Sequence, residues 1–129
     1  MAKRYDAAAV HQQLLDFALT MPDAEIDHPW GDTVVKTNGK KKIFVFLGSG
    51  HDDPTVTHRI SVKLVESHEQ ALQVPAATPT GYGLGRAGWV SVPLTADAPP
   101  VGVLEDWVEE SYRQVALKRL VKELDGRDG

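Results

Sequence analysis

The chain has 129 residues, 42% hydrophobic and 25% charged, the make-up of one soluble domain rather than a disordered, collagen-like or coiled-coil chain. It has no cysteine, which excludes a disulfide scaffold, a thiolate zinc site and cysteine catalysis and suits a reducing compartment, so a cytoplasmic location is expected. The formal net charge of −4 argues against a strongly basic nucleic-acid module.

The opening residues lead into a polar-faced helix, so no secretory signal is expected, and the apolar run Ile43–Leu47 is far short of a membrane span. Asp6 is placed to cap a first helix reaching about Met21, with Ala7, Val10, Leu14, Phe17, Ala18 and Met21 as its buried stripe. Pro22 ends it, and Glu25–Asp32 is too short and polar for a helix.

Thr33–Thr37 and Lys40–Leu47 read as two strands around Asn38-Gly39, a pair suited to a two-residue hairpin turn. In that register Thr37 faces Lys40, Lys36 faces Lys41, Val35 faces Lys42 and Val34 faces Ile43. Residues 48–57 read as a polar loop. Arg59–Leu64 alternates as a half-buried strand, with Ile60, Val62 and Leu64 inward. Ser67 and Gln70 resemble a capping box opening a helix over His68–Val74.

Residues 75–88 form a loop rich in proline and glycine, followed by a strand, Trp89–Leu94, that Pro93 moves towards an edge. A last helix buries Leu104, Trp107, Val108, Ser111, Tyr112 and Val115, its acids early and its bases late, and bends into a final short helix. The order α-β-β-β-α-β-α predicts a single α+β domain over residues 1–129, an antiparallel sheet with helices on one face and the other face wet. A monomer without membrane contact is expected.

Charge is uneven along this chain. Residues 33–63 carry Lys36, Lys40, Lys41, Lys42, Arg59 and Lys63 against Asp52 and Asp53, a local +4 in an acidic protein. With Arg86 and Trp89 these six cations suit phosphate contact beside an aromatic stacking platform. A second reading places a small anion or phosphometabolite in a pocket of the Gly81–Gly88 loop with Arg86, His28, Trp30 and Tyr82. A third is a protein-interaction module on the acidic helical side.

The run Gly83-x-Gly85-x-x-Gly88 matches a dinucleotide fingerprint in letters only, because a strand, not a helix, follows it. The histidines lack metal-ligand spacing, and His11 and His68 read as surface residues, so neither metal nor cofactor is expected. No nucleophile or carboxylate pair argues for an enzyme.

Five segments carry a family resemblance: Pro22–Asp32 (PDAEIDHPWGD), Lys41–Leu47 (KKIFVFL), Ile60–Leu64 (ISVKL), Pro79–Leu94 (PTGYGLGRAGWVSVPL) and Leu104–Leu120 (LEDWVEESYRQVALKRL). With Arg86 three positions before Trp89, and Ser111-Tyr112 in the last helix, the chain resembles the MmcQ/YjbR family of small bacterial proteins. The resemblance implies an α+β fold and DNA binding through a double wing of β-hairpins. It assigns no catalytic residue.

Overall fold

The structure is a computed structural model and describes residues 5–29, 32–49, 57–75, 77–80 and 84–128. The first helix, α1 (Ala7–Ala18), is capped by Asp6, whose Oδ1 accepts from the Ala9 amide at 3.0 Å. Six antiparallel strands follow in chain order: β1 (Glu25–Asp27), β2 (Thr33–Thr37), β3 (Lys42–Ser49), β4 (His58–Lys63), β5 (Thr78–Pro79) and β6 (Trp89–Pro93). They lie side by side as β1-β2-β3-β4-β6-β5. Helix α2 (His68–Leu72) and a 3-10 turn (Leu84–Ala87) link β4 to β6, and α3 (Val101–Val115) and α4 (Lys118–Asp128) end the chain. The α+β class and the one-sided helical layer stand as expected; β1 and β5 are additions too short for periodicity to reveal.

The core lies between the sheet and α1 and α3. Val35, Val45, Leu47, Ile60, Val62, Val90 and Val92 face Leu14, Ala18, Leu104, Trp107, Val108 and Tyr112, all nearly inaccessible to water. Each fully buried side chain of this size contributes roughly 1.5–3 kcal/mol, so this layer dominates stability.

The hairpin between β2 and β3 departs from the expected register. Thr37 pairs with Lys42 and Lys36 with Ile43, leaving a four-residue loop, Asn38–Lys41, in place of a two-residue turn. Asn38, Gly39 and Lys40 all take positive φ, at 60°, 67° and 66°. The cause is tertiary: the Asn38 amide donates to the Val115 carbonyl at 3.1 Å and accepts from the Leu117 amide at 3.0 Å, joining the loop to the α3–α4 junction. Asp23 accepts from the Gly39 amide at 2.6 Å. A tight turn would forgo these bonds.

A bulge follows in β3. Val35 pairs with Val45 while Lys36 pairs with Ile43, so Phe44 has no partner on β2. The extra residue turns Phe44 inward beside Val45, where its ring meets Tyr112 edge-on at 5.0 Å.

Pro93 does not make β6 the expected edge strand, because β5 lies beyond it, yet the proline is tolerated for a local reason of the same kind. On the outer side of β6, β5 pairs only with Val90 and Ser91, so no ladder partner is asked of Pro93 there. Ser67 does not close the expected capping box. Its hydroxyl donates to Glu110 Oε1 at 2.8 Å, and Glu110 Oε2 accepts from the Val65 and Ser67 amides. Helix α2 stops at Leu72, short of Val74.

Candidate nucleic-acid interface

The register separates the candidate cations into distinct places. Lys41 ends the hairpin loop and Lys42 begins β3 at the same end of the sheet, and Lys63 ends β4 beside Trp89, its partner on β6. Adjacent strands lie about 4.8 Å apart, so Lys42, Lys63 and Trp89 span on the order of 10 Å across that rim. Arg86, exposed in the 3-10 turn, continues the row. Arg59 pairs with Gly48 and Pro93 at the other end of β4, four residues or about 13 Å from Lys63.

Charge pairing divides them again. Lys36 donates to Asp27 Oδ2 at 2.8 Å, and this bond, more than any other cause, holds the Asp27 carboxyl below the ordinary carboxylate range. Lys40 lies 3.9 Å from Glu25 Oε1. Among the described residues Lys41 and Lys42 have no carboxylate in salt-bridge range, and both are exposed. The expected opposition of Lys36 and Lys41 does not occur, because the longer loop puts Ile43 opposite Lys36.

The face away from the helices is not wet where the sequence suggested. Trp89 is 7% exposed, Ser61 and Ser91 are each 8% exposed, and Val34 is inaccessible. Trp89 meets Phe46 edge-on at 5.2 Å. Ser61 and Ser91 share a hydrogen bond of 2.7 Å, and Thr80 joins Ser91 at 2.9 Å. Rings and hydroxyls on this face satisfy one another, so Trp89 offers no open ring for a base to stack on.

The two described members of the proposed pocket, His28 and Arg86, lie far apart. His28 follows β1 at one edge of the sheet, while Arg86 precedes β6, four strand positions or about 19 Å away. His28 is exposed and lies near the Thr33 hydroxyl, at 3.4 Å from Nδ1. Trp30 and Tyr82 lie outside the described residues, as do Gly81 and Gly83. What gathers around Arg86 is an open cleft of about 470 Å³ lined by Leu64, Val65, Glu66, His68, Glu69 and Gly85–Gly88. Its charge is mixed: Glu66 and Glu69 stand beside Arg86 and His68.

Gly88 shapes that cleft. It adopts φ +98°, and a Cβ there would lie 2.7 Å from the Leu64 carbonyl oxygen, while the Leu64 amide donates to the Gly88 carbonyl at 3.0 Å. Backbone approaches backbone so closely that only glycine fits. The 3-10 turn runs straight into β6, so no helix N-terminus stands ready for a pyrophosphate.

The Ser111-Tyr112 pair is buried and structural. The Ser111 hydroxyl donates to the Phe44 carbonyl at 2.5 Å and accepts from the Lys63 amide at 2.8 Å. It thereby bridges β3 and β4 just beyond their last paired residues, Val45 and Val62. Tyr112 donates to the Pro22 carbonyl at 2.7 Å, and burial pushes its phenol above the ordinary range, keeping it a donor. Both hydroxyls are engaged with backbone groups.

His11 is not the surface residue its polar helix face suggests. It is half-buried and meets His58, the first residue of β4, at 4.8 Å between ring centroids. The signal that could have paired them was long-range: the first helix has to cross the start of the β4 strand. Among the described residues no three metal-ligating side chains gather into a metal cluster, and no helix is long and apolar enough to cross a membrane.

A sequence model of the YjbR family matches residues 19–114, most of the chain. A solved structure, the Deinococcus radiodurans protein DR2400 with a DUF419 domain, is similar in fold at a TM-score of 0.62. It is 23% identical, and the likeness covers 78% of this chain and 74% of that one. No functionally curated protein matches. The matched span holds the bulged hairpin, the Gly88 approach and the Ser111-Tyr112 pair, and on it the chain belongs to the YjbR family.

Proposed function

We propose that this chain is a non-enzymatic nucleic-acid-binding protein that holds backbone phosphates along the hairpin rim of its sheet, through Lys41, Lys42 and Lys63 with Arg86 at the margin. The observation that carries the reading is the division among the lysines. Lys36 and Lys40 are occupied by Asp27 and Glu25, whereas Lys41 and Lys42 stand exposed without a carboxylate among the described residues. Acids at the same end are partly spoken for: Asp23 holds the Gly39 amide and Glu110 holds Val65 and Ser67. Base stacking on Trp89 has no part in this reading, because the ring is buried. Arg59 stands too far along β4 to share the same phosphates and contributes only to the wider field.

Contacts of this kind fix position on a polyanion without reading its sequence. The test is fluorescence anisotropy with a labelled duplex and a single strand at low salt. A Lys41→Ala/Lys42→Ala/Lys63→Ala protein is expected to lose about tenfold or more in affinity, while Lys36→Ala/Lys40→Ala stays near the parent. Absence of binding by the parent at low salt overturns the reading.

A second reading rests on the open cleft at Gly85–Gly88, where Arg86 and His68 suit a small anion. It is tested by thermal shift with inorganic phosphate and nucleotides, since a ligand of the native state raises the melting temperature.

A further inference from the structure

We infer that His11 and His58 form a proton-operated latch that fastens the N-terminal half of α1 to the sheet. The two imidazoles come from different elements, α1 and β4, and lie 4.8 Å apart with planes tilted by 54°. His11 Nε2 is 3.1 Å from the Leu47 carbonyl oxygen. A carbonyl only accepts, so that nitrogen carries the proton and His11 donates. His58 Nδ1 is engaged with the Thr57 hydroxyl at 2.9 Å.

Around the pair is a small open pocket of about 200 Å³, completed by Asp32, Thr33, Leu47, Gly48 and Thr57. Gly48 admits the Asp32 carboxylate, whose Oδ2 would lie 3.3 Å from a Cβ at that position. Among the described residues the titratable groups facing the pair are Asp6 from the start of α1 and Asp32 from the approach to β2, while β3 contributes Leu47 and Gly48.

The rest of the N-terminal half of α1 is lightly held. Ala8 and Ala9 are exposed, and Ala7 and Val10 are only partly buried. Firm burial begins at Leu14, Leu15 and Ala18. Among the described residues the His11–Leu47 bond and the imidazole contact are therefore the main polar attachment of the first two turns to the sheet.

Protonating both rings places two cations in contact within a partly dehydrated pocket. Swinging His11 into water relieves this and breaks its bond to Leu47. Burial, then the neighbouring His11, holds His58 below its ordinary value of 6.5, and Asp6 acts in the opposite sense. A depressed histidine takes up its proton more readily in the unfolded chain. The stability it contributes is complete above the unfolded value and is lost as pH falls through it towards the folded one.

The test is amide hydrogen exchange, corrected for intrinsic rates, at about pH 7.5 and about pH 5.5. In the parent, amides from Val10 to Gln13 are expected to lose about tenfold or more in protection at the lower pH while Leu15–Ala18 stay protected. In His58→Gln that loss should disappear. Unchanged protection in the parent, or an equal loss in His58→Gln, overturns the latch. Should His58→Gln fail to fold, His11→Gln serves through a proton NMR titration of His58. Its midpoint is expected to rise once the neighbouring ring is gone, and an unmoved midpoint overturns the latch.

Discussion

Ser111 and Phe44 meet where the β-sheet fails to pair: the serine hydroxyl bonds the carbonyl of the bulged residue and takes the Lys63 amide from the next strand. One side-chain oxygen on α3 thus extends the β3–β4 ladder beyond its last pair, Val45 and Val62. Ser111→Ala leaves a buried acceptor and a buried donor without partners, a loss of about 1–3 kcal/mol. Urea denaturation should show the midpoint falling at constant m-value. Tyr112→Phe removes the bond to Pro22 together with the phenol's interaction with Thr37 and should cost about 1 kcal/mol.

Asn38 serves two ends at once, a left-handed loop conformation and a bond pair to the α3–α4 junction. Asn38→Gly keeps the backbone conformation and loses the bonds, whereas Asn38→Ala loses both. Thermal melts should therefore rank parent above Asn38→Gly above Asn38→Ala, with each step about 1 kcal/mol.

Gly88→Ala is expected to be more damaging than either. A Cβ at φ +98° would strike the Leu64 carbonyl and part the chains that hold the Leu64–Gly88 bond. The positive φ alone costs on the order of 1–3 kcal/mol, and the collision adds to it. Chemical denaturation reads the sum, and a loss below about 1 kcal/mol contradicts the close approach.

Lys36 and Asp27 give a pH signature on β1 and β2. The Lys36 bond, then the His28 amide, keeps the Asp27 carboxyl ionised below the usual range. A depressed carboxyl contributes stability that is present above its unfolded value of 3.8 and lost as pH falls through its folded value. Carboxyl NMR should show the Asp27 midpoint moving up in Lys36→Met, and an unmoved midpoint contradicts the assigned partner.

Much of the fold was legible from periodicity. The stripe Leu104, Trp107, Val108, Ser111 and Tyr112 is buried as the 3.6-residue spacing predicts, and Ile60 and Val62 point inward as alternation predicts. The hairpin register was not legible, because Asn38-Gly39 has the letters of a tight turn and the bonds that lengthen the loop come from residues about eighty positions away. Nor was the bulge, since Ile43–Leu47 is apolar throughout and carries no alternation to shift. The supposed wet face failed for a related reason: Ser61, Ser91 and Trp89 look outward-facing by parity, yet pairing among side chains buries them. Of the candidate interface, the sequence identified the cations but not which of them acids would claim.

The most direct measure of the phosphate-rim account is the salt dependence of duplex binding. Each neutralised phosphate contributes about −0.9 to the slope of log K against log salt, so Lys41, Lys42 and Lys63 together predict about −3 for the parent. Removing the three lysines should take away most of that slope, leaving at most the share of about −1 that Arg86 could supply from the margin, and removing Lys36 and Lys40 should leave it unchanged. A parent slope near zero, or one that survives undiminished in the Lys41→Ala/Lys42→Ala/Lys63→Ala protein, contradicts the account.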